Sequence, residues 1–235
     1  MKHLIRWTLA FASSIMLFSC YDVEDPGPLQ DTTKEYGIID FDRLEMGSGF
    51  NITVEQGNTF LIRAEGDRRN INDLDVYKSG NTLVIEYDDQ EDRKHQTFIT
   101  IQLPVLRSVV FSGGSVSVIS GFESDGELDV HLSGGSLAQL DAGYKDLNIV
   151  LSGGSTLKMH GLGDYLHADI SGASLLSVFD YPVRDADINL SGGSNARLTV
   201  SDHLKVNASG ASSVLYRGNP VVEKTLSGES SVHSD

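Results

Sequence analysis

Seven times in the second half of this 235-residue chain, two serines bracket a pair of mostly small residues. The copies are Ser112-Gly113-Gly114-Ser115, the same motif at 133–136, 152–155 and 191–194, and the variants Ser171-Gly172-Ala173-Ser174, Ser209-Gly210-Ala211-Ser212 and Ser227-Gly228-Glu229-Ser230. Serine beside glycine is the material of a hydrolase nucleophile. That chemistry needs a Gly-x-Ser-x-Gly bend and one distinct serine with its own base. The motif does not match the bend, and seven equivalent serines point to architecture. A phosphate-cradling loop needs a lysine after the glycines and then a helix, and neither follows. The calcium-binding β-helix repeat places an aspartate inside each glycine turn, whereas the aspartates here lie on the stretches between turns.

Those stretches carry other reactive groups. Asp129, His131, His167, Asp169 and Asp187 fall at outward positions, and His167 is one repeat from both Asn148 and Asp187. They suit an acid–base pair or a metal site, and equally a solvated polar sheet face. The polar face is the expectation, with no catalytic residue, metal ligand or cofactor assigned. Aromatics recur beyond each repeat's second apolar stretch: Phe122, Tyr144, Tyr165, Phe179 and Tyr181. If exposed as a ridge, Phe122, Tyr144, Tyr165 and Tyr181 would offer flat faces to sugar rings; if buried, they plug the coil.

The elements that would position these groups follow from the spacing. Successive first serines are 21, 19, 19, 20, 18 and 18 residues apart. One position before them stand Phe111, Leu132, Leu151, Ile170, Leu190, Ala208 and Leu226. Three before are Val109, Val130, Ile149, Ala168, Ile188, Val206 and Lys224; five before are Arg107, Leu128, Leu147, Leu166, Ala186, Leu204 and Val222. The columns between are mostly polar, so each repeat carries a strand with one buried face. Alternation resumes after the glycines, with Leu140, Met159, Val178 and Leu198 seven positions past the first serine. Two strands per repeat joined at a small-residue corner describe one coil of a solenoid. Its corners stack every ~4.8 Å, where bulk would meet its own copy above and below. The flanking serines can hydrogen-bond along that stack. The expected fold is all-β, a parallel β-helix-like solenoid of about seven short coils over residues 111–235. Residues 36–110 form an N-terminal β-rich capping module, with a hairpin turn at Ser79-Gly80-Asn81 and a helical turn near Asp67. The last coil exposes a sheet edge, which makes an end-to-end homo-oligomer an expected mode of association.

The N-terminus speaks to location. Lys2 and Arg6 precede an uncharged stretch from Trp7 to Ser19, too short to span ~30 Å of hydrocarbon, so 1–19 reads as a secretory signal. Leu17-Phe18-Ser19-Cys20 resembles a bacterial lipobox, which makes Cys20, the only cysteine, the expected lipidation site. Residues 20–35 then read as a lipidated acidic tether, and the acidic stretch from Tyr21 to Pro28 resembles an export signal to the outer face of the outer membrane. The expected location is the cell envelope, with membrane attachment through lipid on Cys20. A net charge of -15 excludes nucleic acid as a partner, since phosphates demand Lys and Arg. A single cysteine excludes an intramolecular disulfide framework.

Further segments carry a family resemblance: Phe41-Asp42-Arg43-Leu44, then Gly47-Ser48-Gly49-Phe50-Asn51-Ile52-Thr53-Val54, Gly80-Asn81-Thr82-Leu83-Val84-Ile85 and Ile101-Gln102-Leu103-Pro104-Val105-Leu106, followed by the serine–glycine ladder. In this order they resemble the GIN-domain family of secreted bacterial proteins, described as the head of an autotransporter adhesin. The resemblance spans about residues 36–234. It implies a solenoid-like all-β fold and a surface or envelope role, and it brings no catalytic residues. The leading expectation is a non-enzymatic envelope lipoprotein acting in adhesion or surface assembly, with a surface glycan or protein as ligand. A carbohydrate-binding module comes next, and a polysaccharide-cleaving β-helix enzyme third.

Overall fold

The computed structural model describes residues 27–89 and 93–235. Its strands are β1 (Asp31–Glu35), β2 (Arg43–Met46), β3 (Asn51–Gln56), β4 (Leu61–Asp67), β5 (Leu74–Ser79), β6 (Thr82–Tyr87), β7 (Thr97–Leu103), β8 (Ser108–Phe111), β9 (Val116–Leu132) and β10 (Leu137–Leu151). They continue as β11 (Thr156–His160), β12 (Tyr165–Ile170), β13 (Leu175–Leu190), β14 (Asn195–Ala208), β15 (Ser213–Arg217), β16 (Val221–Leu226) and β17 (Ser231–Ser234). One short helix, α1 (Arg68–Asn72), lies between β4 and β5. The chain winds as an all-β solenoid of about seven turns.

The serine–glycine motifs stack, and the coordinates show why glycine is required. The second corner residue of every repeat, from Gly113 to Gly228, has φ between 62° and 76°, where a Cβ is disfavoured. A Cβ on Gly153 would stand 3.0 Å from the backbone nitrogen of Gly134, and one on Gly172 would stand 2.9 Å from that of Gly153. Each corner therefore rests on the backbone of the one before it. The backbone amide of each first serine reaches across that contact: Ser133 N donates to Phe111 O at 3.0 Å, and Ser152 N to Leu132 O at 3.0 Å. The second serines were expected to bond along the stack, but mainly they close their own corner. Their buried hydroxyls donate to the carbonyl three residues earlier, as Ser136 Oγ does to Ser133 O at 2.7 Å. A bend this tight leaves that carbonyl as the nearest acceptor.

The stack divides the coil into two outward faces. Face A runs β1–β4–β7–β3, then the first halves of β9 and β10, then β11, the first halves of β13 and β14, β15 and β17. Face B runs β5–β6–β2–β8, then the second halves of β9 and β10, then β12, the second halves of β13 and β14, and β16. Eleven rungs on face A make a column roughly 50 Å tall at ~4.8 Å per rung. The predicted inner columns are buried through most of the stack, with Leu128, Val130 and Leu132 below Leu147, Ile149 and Leu151. Arg107 is a correction: it is exposed and paired with Asp42 at 3.2 Å, while Leu106 is buried in its place. Strand β8 begins only at Ser108 because the preceding segment is still crossing the solenoid from β7.

Residues 36–110 thread out of spatial order. β2 and β3 turn at Gly47-Ser48-Gly49 and form an eighth stacked corner, with Ser112 N donating to Met46 O at 3.0 Å. The later β6 and β7 pair below them, and β8 and β9 pair above. β4, β1 and β5 then add antiparallel and close this end. The expected tether therefore ends before residue 31, because β1 pairs along its whole length with β4. Residues 27–30 are held as well. Gln30 N donates to the buried carboxylate of Asp67 at 3.0 Å, Arg69 Nη2 donates to Pro28 O at 3.1 Å, and Arg68 N donates to Gln30 O at 2.8 Å. At the opposite end, Lys224 stands exposed in an inner column of the last coil. A charge turned toward the core is a device that blunts a sheet edge.

Candidate functional site

The far corner, opposite the glycine ladder, departs most from regularity. β9, β10, β13 and β14 run through it as bent strands with register shifts, for example between Asp141 and Ala142 and between Val178 and Val183. The coil of β11 and β12, as long as that of β10, breaks there instead. It crosses by Gly161-Leu162-Gly163-Asp164, leaving Tyr144 without a strand partner from that coil. Tyr181 from the next coil fills the gap. Its hydroxyl donates to Tyr144 O at 2.9 Å and accepts from Tyr144 N at 2.9 Å, doing the work of the missing peptide group. Gly163 makes room, since a Cβ there would lie 2.6 Å from Tyr144 O and 2.8 Å from the Tyr181 ring. Tyr144 Oη in turn donates to Leu106 O at 2.7 Å. Burial raises both phenols, pushing Tyr181 up to about 12.

The glycan-contact expectation is corrected accordingly. Phe122, Tyr144 and Tyr181 are buried in the coil and form no ridge. Their recurrence reflects the volume that a bent far corner must fill. Tyr165 is 40% exposed, on face B. Phe179 is half-buried with the Arg217 guanidinium 4.0 Å above its ring. Cys20 lies outside the described residues.

Outside this plug the far corner opens into a cleft of about 710 Å3 lined by Glu123, Asp125, Tyr144, Lys145, Leu162 and Asp164. A second cleft of about 470 Å3 adjoins it at Gly163 and runs past Arg184. Among the described residues no group of three or more His, Cys, Asp or Glu is disposed to hold a metal ion.

The two faces differ in chemistry. On face B, cross-rung side chains form polar ladders. Asn207 Nδ2 donates to Asn189 Oδ1 at 2.9 Å, and Asn189 Nδ2 to Asp169 Oδ1 at 2.8 Å. Lys205 Nζ donates to Asp187 at 2.8 Å, and His203 Nδ1 meets Asp185 at 2.8 Å. The His203 contact holds the Asp185 carboxyl below the usual range. His167 lies beside Asn148 and Asp187 in register, as the spacing predicted, but its charge contact is to Asp169 at 3.7 Å. This is a polar surface whose side chains mostly pair with one another across rungs, with Asp187 Oδ1 left without a hydrogen-bond partner.

Face A carries charge at its two ends and along its far-corner edge, but one patch in its middle is nearly free of it. Across the six rungs from β7 to β13, one outward column reads Phe98, Asn51, Val116, Leu137, Thr156 and Leu175. The next reads Thr100, Thr53, Val118, Gln139, Lys158 and Ser177. Phe98, Val116, Val118 and Leu137 are each 46–48% exposed. Sequence reading identified the strands but missed this face, because its members lie in separate repeats and include residues from the cap.

Residues 40–220 match the family model described as "Putative auto-transporter adhesin, head GIN domain". Among solved structures, a putative adhesin from Bacteroides fragilis aligns with a TM-score of 0.80 at 19% identity, covering 88% of this chain and 97% of that one. A putative lipid binding protein from Parabacteroides distasonis aligns at 0.72 and 17% identity, covering 87% and 96%. A putative adhesin from the same species aligns at 0.71 and 16% identity, covering 89% and 98%. At these identities the likeness is one of fold. Comparison with curated proteins gives no match.

Proposed function

Because the chain belongs to the GIN-domain family of adhesin heads, we propose that it is a non-enzymatic adhesin or surface-assembly module of the cell envelope, held to the outer membrane by lipid on Cys20. The observation that carries this reading is where the chain enters the fold. Residues 27–30 are clamped at the capped end by Asp67, Arg68 and Arg69. The segment 20–26 that precedes them spans at most ~25 Å. Lipid on Cys20 thus holds the cap near the bilayer, and the column of roughly 50 Å stands away from it. The acidic body gains nothing from an anionic surface, so attachment falls to the lipid.

The test is cell fractionation and an adhesion assay on cells carrying wild-type protein or Cys20→Ala. Wild type partitions with membranes and increases cell–surface or cell–cell adhesion, and the variant is released and confers none. A variant that stays in the membrane refutes the anchor. Wild-type cells no more adhesive than cells lacking the protein refute the adhesin role.

The far-corner cleft favours a second reading, binding of a surface glycan. Its carboxylates, Lys145 and the exposed Leu162 offer hydrogen-bond partners around an apolar contact. Saturable binding on a glycan array that is lost with Asp125→Ala would select it.

A further inference from the structure

We propose that two copies of this chain pack against each other through the outer side of face A, between β7 and β13. The first support is charge. The chain carries a net charge of -15, so two copies repel at long range and tolerate contact best where carboxylates are fewest. Face B presents Asp129, Asp169, Asp185 and Asp187, and the far corner presents Glu123, Asp125 and Asp164. The twelve outward positions of face A described above hold one charged side chain, Lys158, and carboxylates return at its border with Glu55, Asp141 and Asp180 along one edge and Glu65 beside Phe98. A Lys158 brought near the partner's acidic border adds attraction.

The second support is apolar continuity. Val116 and Leu137 are direct neighbours on adjacent rungs, Val118 lies two residues from Val116 on the same side, and Phe98 is one rung beyond Asn51. All four are about half exposed, with no element of the described residues covering them, and contiguous exposed apolar surface of this kind marks an association site. The third consideration is area. Six rungs at ~4.8 Å by the ~13 Å that two outward columns span give about 380 Å2 per copy, or roughly 750 Å2 in all. That is smaller than a stable interface and fits only a weak, reversible dimer of sheet on sheet. Stacking through the open end is opposed by Lys224, so lateral pairing is the favoured mode. The inference stands independently of the lipid anchor and of any glycan ligand.

The test is sedimentation velocity of the processed protein carrying Cys20→Ser, so that no lipid contributes, over a concentration series at low and high salt. The expected result is a reversible monomer–dimer equilibrium that tightens with salt as repulsion between the acidic bodies is screened. Leu137→Glu and Val118→Glu weaken it at least about tenfold, because in a symmetric pair each variant adds two carboxylates to a dry contact. Thr53→Glu, at an exposed polar position of the same patch, weakens it too and serves if the apolar variants fold poorly. Val110→Glu, a similarly exposed valine on face B, leaves the equilibrium unchanged. A monomer at every concentration and salt overturns the proposal, as does equal weakening by Val110→Glu. A monomer retained on an insoluble uncharged polysaccharide through Leu137 and Val118 also overturns it and gives the face to a glycan.

Discussion

Gly153→Ala and Gly154→Ala place the same methyl group at adjacent residues of one corner and should have unequal effects. Both glycines have left-handed backbone, with φ of 65° and 82°. Both variants therefore carry a conformational penalty of about 1 kcal/mol. Their surroundings differ. The Cβ at Gly153 meets the nitrogen of Gly134 at 3.0 Å and its Cα at 3.4 Å, and neither can swing aside. The Cβ at Gly154 meets nothing within 4 Å. One coil later Ala173 occupies the position equivalent to Gly154 with φ of 69°, so alanine is tolerated there. Crowding into a packed backbone adds roughly 1–3 kcal/mol. Gly153→Ala should therefore cost about 2–4 kcal/mol and Gly154→Ala about 1. Urea unfolding of the Cys20→Ser protein reads the difference as a larger fall in midpoint at unchanged slope. Equal losses, or a larger loss at Gly154, would refute the stacking argument.

Tyr181→Phe removes both hydrogen bonds that satisfy the Tyr144 peptide group while keeping the ring. It should destabilise by about 1–3 kcal/mol, and a neutral result would mean that the hydroxyl is not replacing a strand. Asp67→Asn should cost about 1.5–3 kcal/mol by removing the charge of a buried carboxylate paired with the part-exposed Arg69, and should lower hydrogen-exchange protection of β1 before the rest of the fold. Arg69 and backbone donors hold the Asp67 carboxyl well below its ordinary 3.8, so its stabilisation is complete above about pH 5 and is lost as pH falls through 3.8 and below. The gap between wild type and Asp67→Asn should narrow on acidification, and a constant gap would contradict the assignment.

The solenoid was legible because its constraint repeats. Each corner that rests on another needs a residue without a Cβ, whereas Ser48 holds the equivalent place in the first corner of the stack, and each strand buries alternate side chains, so Gly113 to Gly228 and columns such as Val130, Ile149 and Ile188 announce themselves by period. The two-residue turn at Gly80-Asn81 was legible for the same local reason, with Gly80 at φ 61°. What escaped is non-local. The corner at Gly47-Ser48-Gly49 lies far from the ladder in sequence, and only long-range pairing makes it the eighth. The antiparallel closure by β4 and β1 leaves no period, so residues 31–35 resembled a tether until their pairing with β4 was visible. The far-corner aromatics were visible as a set, but periodicity there cannot tell inside from outside, because bulges shift the alternation. Face A required adding up outward residues across coils and cap.

The most direct test of the stacked scaffold uses paired cysteines in the Cys20→Ser background, which otherwise has no cysteine. Gly154→Cys with Ala173→Cys, and Ala173→Cys with Gly193→Cys, place thiols on neighbouring coils ~4.8 Å apart, within disulfide reach. Gly154→Cys with Gly193→Cys places them roughly 10 Å apart, beyond it. Mass spectrometry of unreduced peptides after mild oxidation should find intramolecular disulfides in both neighbouring pairs and none in the skipped pair. Cross-linking of the skipped pair as readily as the neighbours, or of none, would contradict the stack on which both outward faces depend.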